Sequence, residues 1–219
     1  IFDSTISGTV AEVAGGGITN GESSVLRMTN TTVSGNTATS YGCGGVLSGS
    51  GCEATITNST ITGNSAQGAG GIGNFGGTVT LANTIVAKNY RGSDTTTADD
   101  IFGDVTANFS FIGDPTGATI TGSNNRNGDP LLGPLADNGG PTLTHALLVG
   151  SPAIDAGDFF LAGPGRMFDQ RGEGFDGLRY GFVDIGAFEF FATPTLSVSL
   201  SDGNLLITDG DATGKDNQL

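Results

Sequence analysis

A parallel β-helix is the architecture expected of this chain, and three features of the sequence lead to it. The first is repetition. Met28-Thr29-Asn30-Thr31-Thr32-Val33-Ser34-Gly35-Asn36-Thr37-Ala38 returns as Ile56-Thr57-Asn58-Ser59-Thr60-Ile61-Thr62-Gly63-Asn64-Ser65-Ala66, with an earlier copy at 1–11 and a degraded one at 81–89. The polar anchor of these copies stands at positions 3, 30, 58 and 83, in steps of 27, 28 and 25 residues. Self-similarity at a period of about 20–50 residues marks a solenoid. The second feature is composition. Glycine accounts for 39 of 219 residues, far above its usual share of about 7%. It comes with Thr, Ser, Asn, Val and Ile rather than with charge runs, which fits short strands and tight turns, not disorder. The third is that no long run carries the i, i+3, i+4 apolar spacing of a helix.

Each repeat has a second landmark, Gly15-Gly16-Gly17-Ile18, then Cys43-Gly44-Gly45-Val46, then Ala69-Gly70-Gly71-Ile72. Between landmarks lie short alternating strands at 24–28, 54–57 and 78–81. Three strands of about 3–5 residues, at about 3.3 Å per residue, plus turns fill a coil of about 25–28 residues. Such a unit buries its apolar side chains only by stacking on its neighbours. Val25, Met28, Val33, Ile56, Ile61, Val79, Leu81 and Val86 are therefore expected to point inward. Asn30, Asn58 and Asn83 are expected to form one ladder at a turn, and Asn36, Asn64 and Asn89 a second. Stacked amides hydrogen-bond along the axis, and Asn tolerates the left-handed backbone of a tight corner. The sequons that begin at Asn30 and Asn58 are explained by that ladder without sugar, and Asn108-Phe109-Ser110 is a third sequon. Past Arg91 the pattern loosens into a Thr- and Asp-rich loop, and strands resume near 101, 109 and 118.

Charge narrows the function. With 22 acidic and 8 basic residues the net charge is −14, so phosphate backbones are repelled and nucleic-acid binding is not expected. No apolar run approaches the ~18 residues of a transmembrane segment. The chain opens inside a repeat, which suggests a mature piece or a fragment of a larger parent polypeptide. Cys43 and Cys52 flank a short glycine-containing segment. Two readings stand for them: a small-loop disulfide in an exported protein, or two small residues filling solenoid positions, since Ala69 takes the place of Cys43 in the next repeat. A single His argues against a metal centre of the His/Cys type.

From 129 the character changes. Asp129-Pro130-Leu131-Leu132-Gly133-Pro134-Leu135, Asp137-Asn138-Gly139-Gly140-Pro141-Thr142-Leu143-Thr144-His145, Gly150-Ser151-Pro152-Ala153-Ile154-Asp155-Ala156-Gly157, Asp169-Gln170-Arg171-Gly172 and Val183-Asp184-Ile185-Gly186-Ala187-Phe188-Glu189 follow in order. This ordered set resembles the C-terminal part of the choice-of-anchor Q family, within the right-handed parallel β-helix (pectin-lyase-like) superfamily. The resemblance covers about 1–190. It implies an all-β, right-handed parallel β-helix and an exported or cell-surface bacterial protein, and it assigns no chemistry. Physically, 129–191 reads as an irregular C-terminal cap that covers the last coil of helix 1–128. Asp155, Asp169, Arg171, Arg179, Asp184 and Glu189 are the residues expected to tie its loops, with Arg171 the bidentate partner of a carboxylate. The same carboxylates leave open a calcium or catalytic site. His145 reads as a buried, hydrogen-bonded histidine rather than a general base.

The tail 192–219 reads as a short terminal β-hairpin, with 195–200 and 205–208 as its strands. Asp209, Asp211 and Asp216 then give three acids in eight residues, which raises a calcium (Ca2+) loop against a solvated turn. No other cofactor is expected.

Three functions follow. The first is a non-catalytic structural surface protein (stalk, adhesin or fibre subunit) that self-associates end to end. The second is a polysaccharide lyase or glycosidase. Asp3, Glu12, Glu22 and Glu53, with Arg27 and Lys88, do not recur at one strand position, and Asp99-Asp100 is the lone adjacent acid pair. The third is carbohydrate or ice binding by threonine rows such as Thr55-Ile56-Thr57 and Thr78-Val79-Thr80.

Overall fold

A computed structural model describes residues 1–92, 95–163, 168–178 and 181–191, together with the backbone of 196–201 and 204–209. The chain is all-β, with no helix among the described residues. Its strands stack in parallel, in register, one coil above the next. One long row contains Phe2–Ser7, the second half of Val25–Ser34, then Thr60–Thr62, Ile85–Ala87 and Phe111–Ile112. A second contains the first half of Val25–Ser34, then Glu53–Thr57, Thr78–Ala82, most of Ile101–Asn108 and Ala118–Thr121. A third runs through Ile18–Asn20, Val46–Ser48, Ile72–Asn74 and the start of Ile101–Asn108. The two-residue strands Val10–Ala11, Thr37–Ala38, Ser65–Ala66 and Tyr90–Arg91 add a minor row.

The corner between the second row and the first explains the repeat. Asp3, Asn30, Asn58 and Asn83 all adopt the left-handed conformation, with φ between 45 and 48°. Asn and Asp enter that region at the least cost among residues with a Cβ. Phe109, φ 48°, holds the same place in the next coil, and Asn124, φ 58°, in the last. The corners at 3, 30, 58, 83 and 109 bound four full turns. The step to 124 is 15 residues, a short-cut coil that omits the minor and third rows.

The inner core is built from Leu26, Met28, Val33, Val46, Ile56, Ile61, Ile72, Leu81, Val86, Ile101 and their neighbours. Each such side chain removed from water contributes about 1.5–3 kcal/mol. Val25 departs from expectation. It is 52% exposed, because Leu26 and Met28 take the inward positions of an alternating strand and Val25 stands opposite Glu53 on the outside.

The segment 129–191 covers a flank, not the open end. Its contacts run along the outer surface of the first row. Thr5 Oγ donates to Leu143 O, Thr32 Oγ to Gln170 Oε1 at 2.6 Å, and Ala187 N to Thr60 Oγ at 3.1 Å. The physical reason is apolar. Outward-facing Ile85, Ala87 and Phe111 form a second core with Leu147, Ala153, Ala156, Ile185 and Phe188. A strand so covered is buried on both faces and reads as a continuous apolar run, as Ile85-Val86-Ala87 does. The flanking strap includes one hairpin, Leu132–Ala136 with Thr144–Leu147. Beyond it, Leu196–Ser201 and Asn204–Asp209 pair antiparallel.

Candidate functional site

The expected asparagine ladders take two forms. Asn36, Asn64 and Asn89 are fully buried and stack along the axis. Asn36 N and Nδ2 both donate to Asn64 Oδ1, at 3.0 and 2.9 Å, and Asn64 N and Nδ2 to Asn89 Oδ1, at 3.1 and 2.9 Å. Each Nδ2 also reaches a carbonyl of the preceding coil, Ile6, Val33 and Ile61 in turn. The next coil has no asparagine at this place. Asp100 supplies the missing acceptor: its Oδ1 takes Asn89 N and Nδ2, both at 2.9 Å, and its Oδ2 takes Asp114 N at 2.7 Å. Asp100 stands where earlier coils have glycine, and a Cβ on Gly71 would lie 2.3 Å from Asp100 O and 2.8 Å from Asn89 Nδ2. Burial pushes the Asp100 carboxyl up to about 6, against the lowering by Asn89 and Asp114 N–H groups. Asp99 is engaged separately, by Arg91 Nε at 3.0 Å. The adjacent acid pair is thus spent on the scaffold.

Asn30, Asn58 and Asn83 share a corner but do not bond to one another. Their amides turn outward to the strap. Asn30 Nδ2 donates to Phe168 O, Asn58 Nδ2 to Ala162 O, and Asn83 Nδ2 to Asp158 O, at 3.2, 3.3 and 2.8 Å. The ladder hydrogen bonds fall instead to the next residue. Thr31 N donates to Ser59 Oγ, and Thr84 N to Ser110 Oγ, both at 3.2 Å. This hydroxyl column is visible in the sequence as a Ser or Thr after most anchors. Asn30 and Asn58 are 5% and 4% exposed, which leaves no room for sugar on either sequon.

Cys43 and Cys52 are both buried free thiols, so the disulfide reading is corrected. Cys43 points into the coil and lies against Val46 O and Gly71 O, and Cys52 lies against Ser50 O. Burial pushes the Cys43 thiol up to about 12, which makes it a packing residue rather than a nucleophile.

Of the six tie residues, five are described and converge on one knot. Asp169 and Arg171, 3% and 4% exposed, pair through Nε at 2.9 Å and Nη2 at 2.5 Å. The guanidinium also donates to Glu189 O at 2.7 Å and lies 4.1 Å and 3.8 Å from the ring centres of Phe175 and Phe188. Asp184 accepts from Asp155 N at 2.7 Å and Phe190 N at 2.6 Å, and the Glu189 carboxylate accepts from Asp184 N. Desolvation holds the Asp184 carboxyl well above the usual carboxylate range. The carboxylates of Asp169, Asp184 and Glu189 thus accept from Arg171 or from backbone N–H groups, and Asp155 joins through its own backbone N–H. Arg179 and the calcium-loop acids Asp211 and Asp216 lie outside the described residues, as does the side chain of Asp209. Among the described residues no group of three or more His, Cys, Asp or Glu is placed to hold a metal.

His145 is bound on both ring nitrogens, Nδ1 to Gly133 O and Nε2 to Ser34 Oγ, each at 2.8 Å. A carbonyl can only accept, so Nδ1 carries the proton and Nε2 accepts from the hydroxyl. Burial lowers its pKa.

What remains free is the outer face of the second row. Two parallel columns run along it: Glu53, Thr78, Asp104 and Thr119, and beside them Thr55, Thr80, Thr106 and Thr121. Thr78, Asp104, Thr106, Thr119 and Thr121 line a shallow groove of about 220 Å³. Across the Gly103 corner, Phe75 and Phe102 sit as a tilted pair 5.4 Å apart, 44% and 40% exposed. Glu53 and Asp104 thus share one column two coils apart, an alignment that spacing in the sequence hides because the coils differ in length. No helix among the described residues is long and apolar enough to cross a membrane. No family model, curated protein or solved structure compared with the chain matches it.

Proposed function

We propose that this chain is a non-catalytic structural segment of an extracellular bacterial surface protein, of the choice-of-anchor Q type, that extends end to end through its first coil. One observation carries the reading. Phe2–Ser7 pairs on one side with Val25–Ser34, and among the described residues its other edge pairs with no strand. Around that edge Ile1, Phe2, Val10 and Val13 are 41, 66, 72 and 63% exposed, and Ile6 and Ile18 are not fully buried. The coil already has the corner, register and Gly8 turn of the coils above it, so its edge can pair with another coil, whether of a preceding segment of the same polypeptide or of a second copy. The buried acids support the same reading, since each is committed to backbone or to arginine. Sedimentation across a concentration series tests it. Self-association that grows with concentration is expected, and a monomer throughout the range overturns it.

A second reading, carbohydrate binding, is favoured by the open face. Hydroxyl columns, the carboxylates of Glu53 and Asp104 and an exposed aromatic pair are the groups that hydrogen-bond and stack on a neutral sugar chain. A panel of insoluble neutral polysaccharides in a pull-down tests it, with Phe102→Ala and Thr106→Ala expected to reduce retention together.

A further inference from the structure

On the outer face of the third row one column holds Thr19, Leu47, Gly73 and Phe102, stacked coil on coil. Gly73 has no side chain to fill its place, and the Phe75 ring lies back over it. A Cβ on Gly73 would stand 2.7 Å from Phe75 Cε2 and 3.3 Å from Phe75 Cζ. Gly73 is therefore buried although its place in the strand faces outward. Phe75 comes to rest beside Phe102, with ring centres 5.4 Å apart and planes tilted by 34°. The two half-exposed rings form one aromatic platform. The corner beyond it is the segment 75–77 in one coil and Gly103 alone in the next. Where that corner shortens, the groove of Thr78, Asp104, Thr106, Thr119 and Thr121 opens. Asp104 is exposed, and among the described residues its carboxylate pairs with no cation.

We propose that this platform and groove bind a neutral, β-linked pyranose chain of the glucan or xylan type. The inference rests on the carbohydrate reading of this face and names the sugar. The face of an aromatic ring is negative and attracts weakly positive C–H groups. A pyranose whose hydroxyls are all equatorial presents only axial C–H bonds on both faces, so it lies flat on such a ring. An α-linked chain bends and does not lay successive residues flat. The 5.4 Å between the ring centres is close to the advance of one residue along an extended β-linked chain, so neighbouring sugars each cover one phenylalanine. Their equatorial hydroxyls point sideways, where Asp104 accepts hydrogen bonds and the threonines both donate and accept. The groove, about 220 Å³, is smaller than the about 300–1,000 Å³ of a pocket that encloses a whole ligand, and it suits one ring of a longer chain. Glu53 and Asp104 on this face and the net charge of −14 repel a uronate polymer, which leaves a neutral one.

The test is native affinity electrophoresis of the whole chain through gels that hold hydroxyethylcellulose, xylan, dextran, pullulan or polygalacturonate. Retardation by hydroxyethylcellulose or xylan is expected, and the stronger of the two identifies the chain as glucan or xylan. The α-linked dextran and pullulan and the anionic polygalacturonate should leave mobility unchanged. Phe75→Ala and Phe102→Ala should each weaken binding about fivefold or more, the loss expected of a truncated aromatic anchor, with Tm unchanged because both rings are surface groups. Phe75→Tyr should retain binding. Gly73→Ala should weaken it with both rings still present, because the new methyl displaces Phe75. Equal retardation by α- and β-linked polymers, or full retardation of both Phe→Ala variants, overturns this inference and leaves the carbohydrate reading standing. No retardation by any of the polymers overturns both.

Discussion

At the residue scale the buried amide column sets the stability of the solenoid. Asn64 accepts two hydrogen bonds from Asn36 and donates to Val33 O and Asn89 Oδ1. Asn64→Ala strands the backbone N–H of Asn36 and one hydrogen of its amide, and leaves Val33 O and Asn89 Oδ1 short of a donor, in a dry interior. Each orphaned group costs about 1–3 kcal/mol, so the variant should lose about 3–5 kcal/mol in urea unfolding. A loss under 1 kcal/mol would mean that water enters the coil. Asp100 adds a pH signature. Its carboxyl is raised from 3.8 to about 6 by burial, so the folded state binds more protons than the unfolded state between those values. Stability from this group therefore falls as pH rises from about 4 to about 6 and is level above. The stability difference between the native chain and Asp100→Asn should slope through that window, and a flat difference removes charge burial as the cause.

At the element scale the strap is tied internally by the Asp169–Arg171 ion pair and docked on the coils by an apolar seam. Arg171→Leu leaves Asp169 buried without its cation, and a broken buried pair costs about 3–5 kcal/mol. Because the knot joins 138, 169, 171 and 189, the loss should fall on the strap first. Limited proteolysis should cut within 143–190 before the coils, and simultaneous cutting of both would show one cooperative unit. His145 gives the strap the opposite pH sense to Asp100. Its folded pKa is depressed below 6.5, so its contribution is present above pH 6.5 and is lost as pH falls through the folded value. Much of this element was closed to sequence reasoning. Asp169, Arg171, Asp184 and Glu189 were legible as ties because buried carboxylates and arginine need partners, whereas Asp155 joins the knot through its backbone N–H. The surface they dock on was not legible, because its contacts, such as Thr32 with Gln170 or Ser34 with His145, join positions far apart in the chain and leave no period. One local trace existed: Ile85-Val86-Ala87 and Phe111-Ile112 are apolar without alternation, the mark of a strand covered on both faces.

At the scale of the whole molecule the repeat carried most of the fold. Corners at 3, 30, 58 and 83 were legible because a left-handed φ selects Asn or Asp, whereas Phe109 hid the fifth behind a residue type that rarely enters that region. Val25 failed for a related reason: alternation gives the period but not which phase faces inward, and Leu26 and Met28 decide it. The proposed end-to-end assembly depends on the edge of the first coil. Val10, Phe2 and Val13 are the most exposed apolar residues of the first coil, and none belongs to the inner core. Val10→Glu with Val13→Glu adds two like charges to a surface that must meet another coil. The folded monomer should keep its melting temperature within about 2 °C, since exposed substitutions change stability by at most about 0.5 kcal/mol. Self-association should weaken at least tenfold in sedimentation, because charge repulsion and lost apolar contact act together at the joint. If association persists unchanged, the first coil is not the joint and the rod does not extend through it.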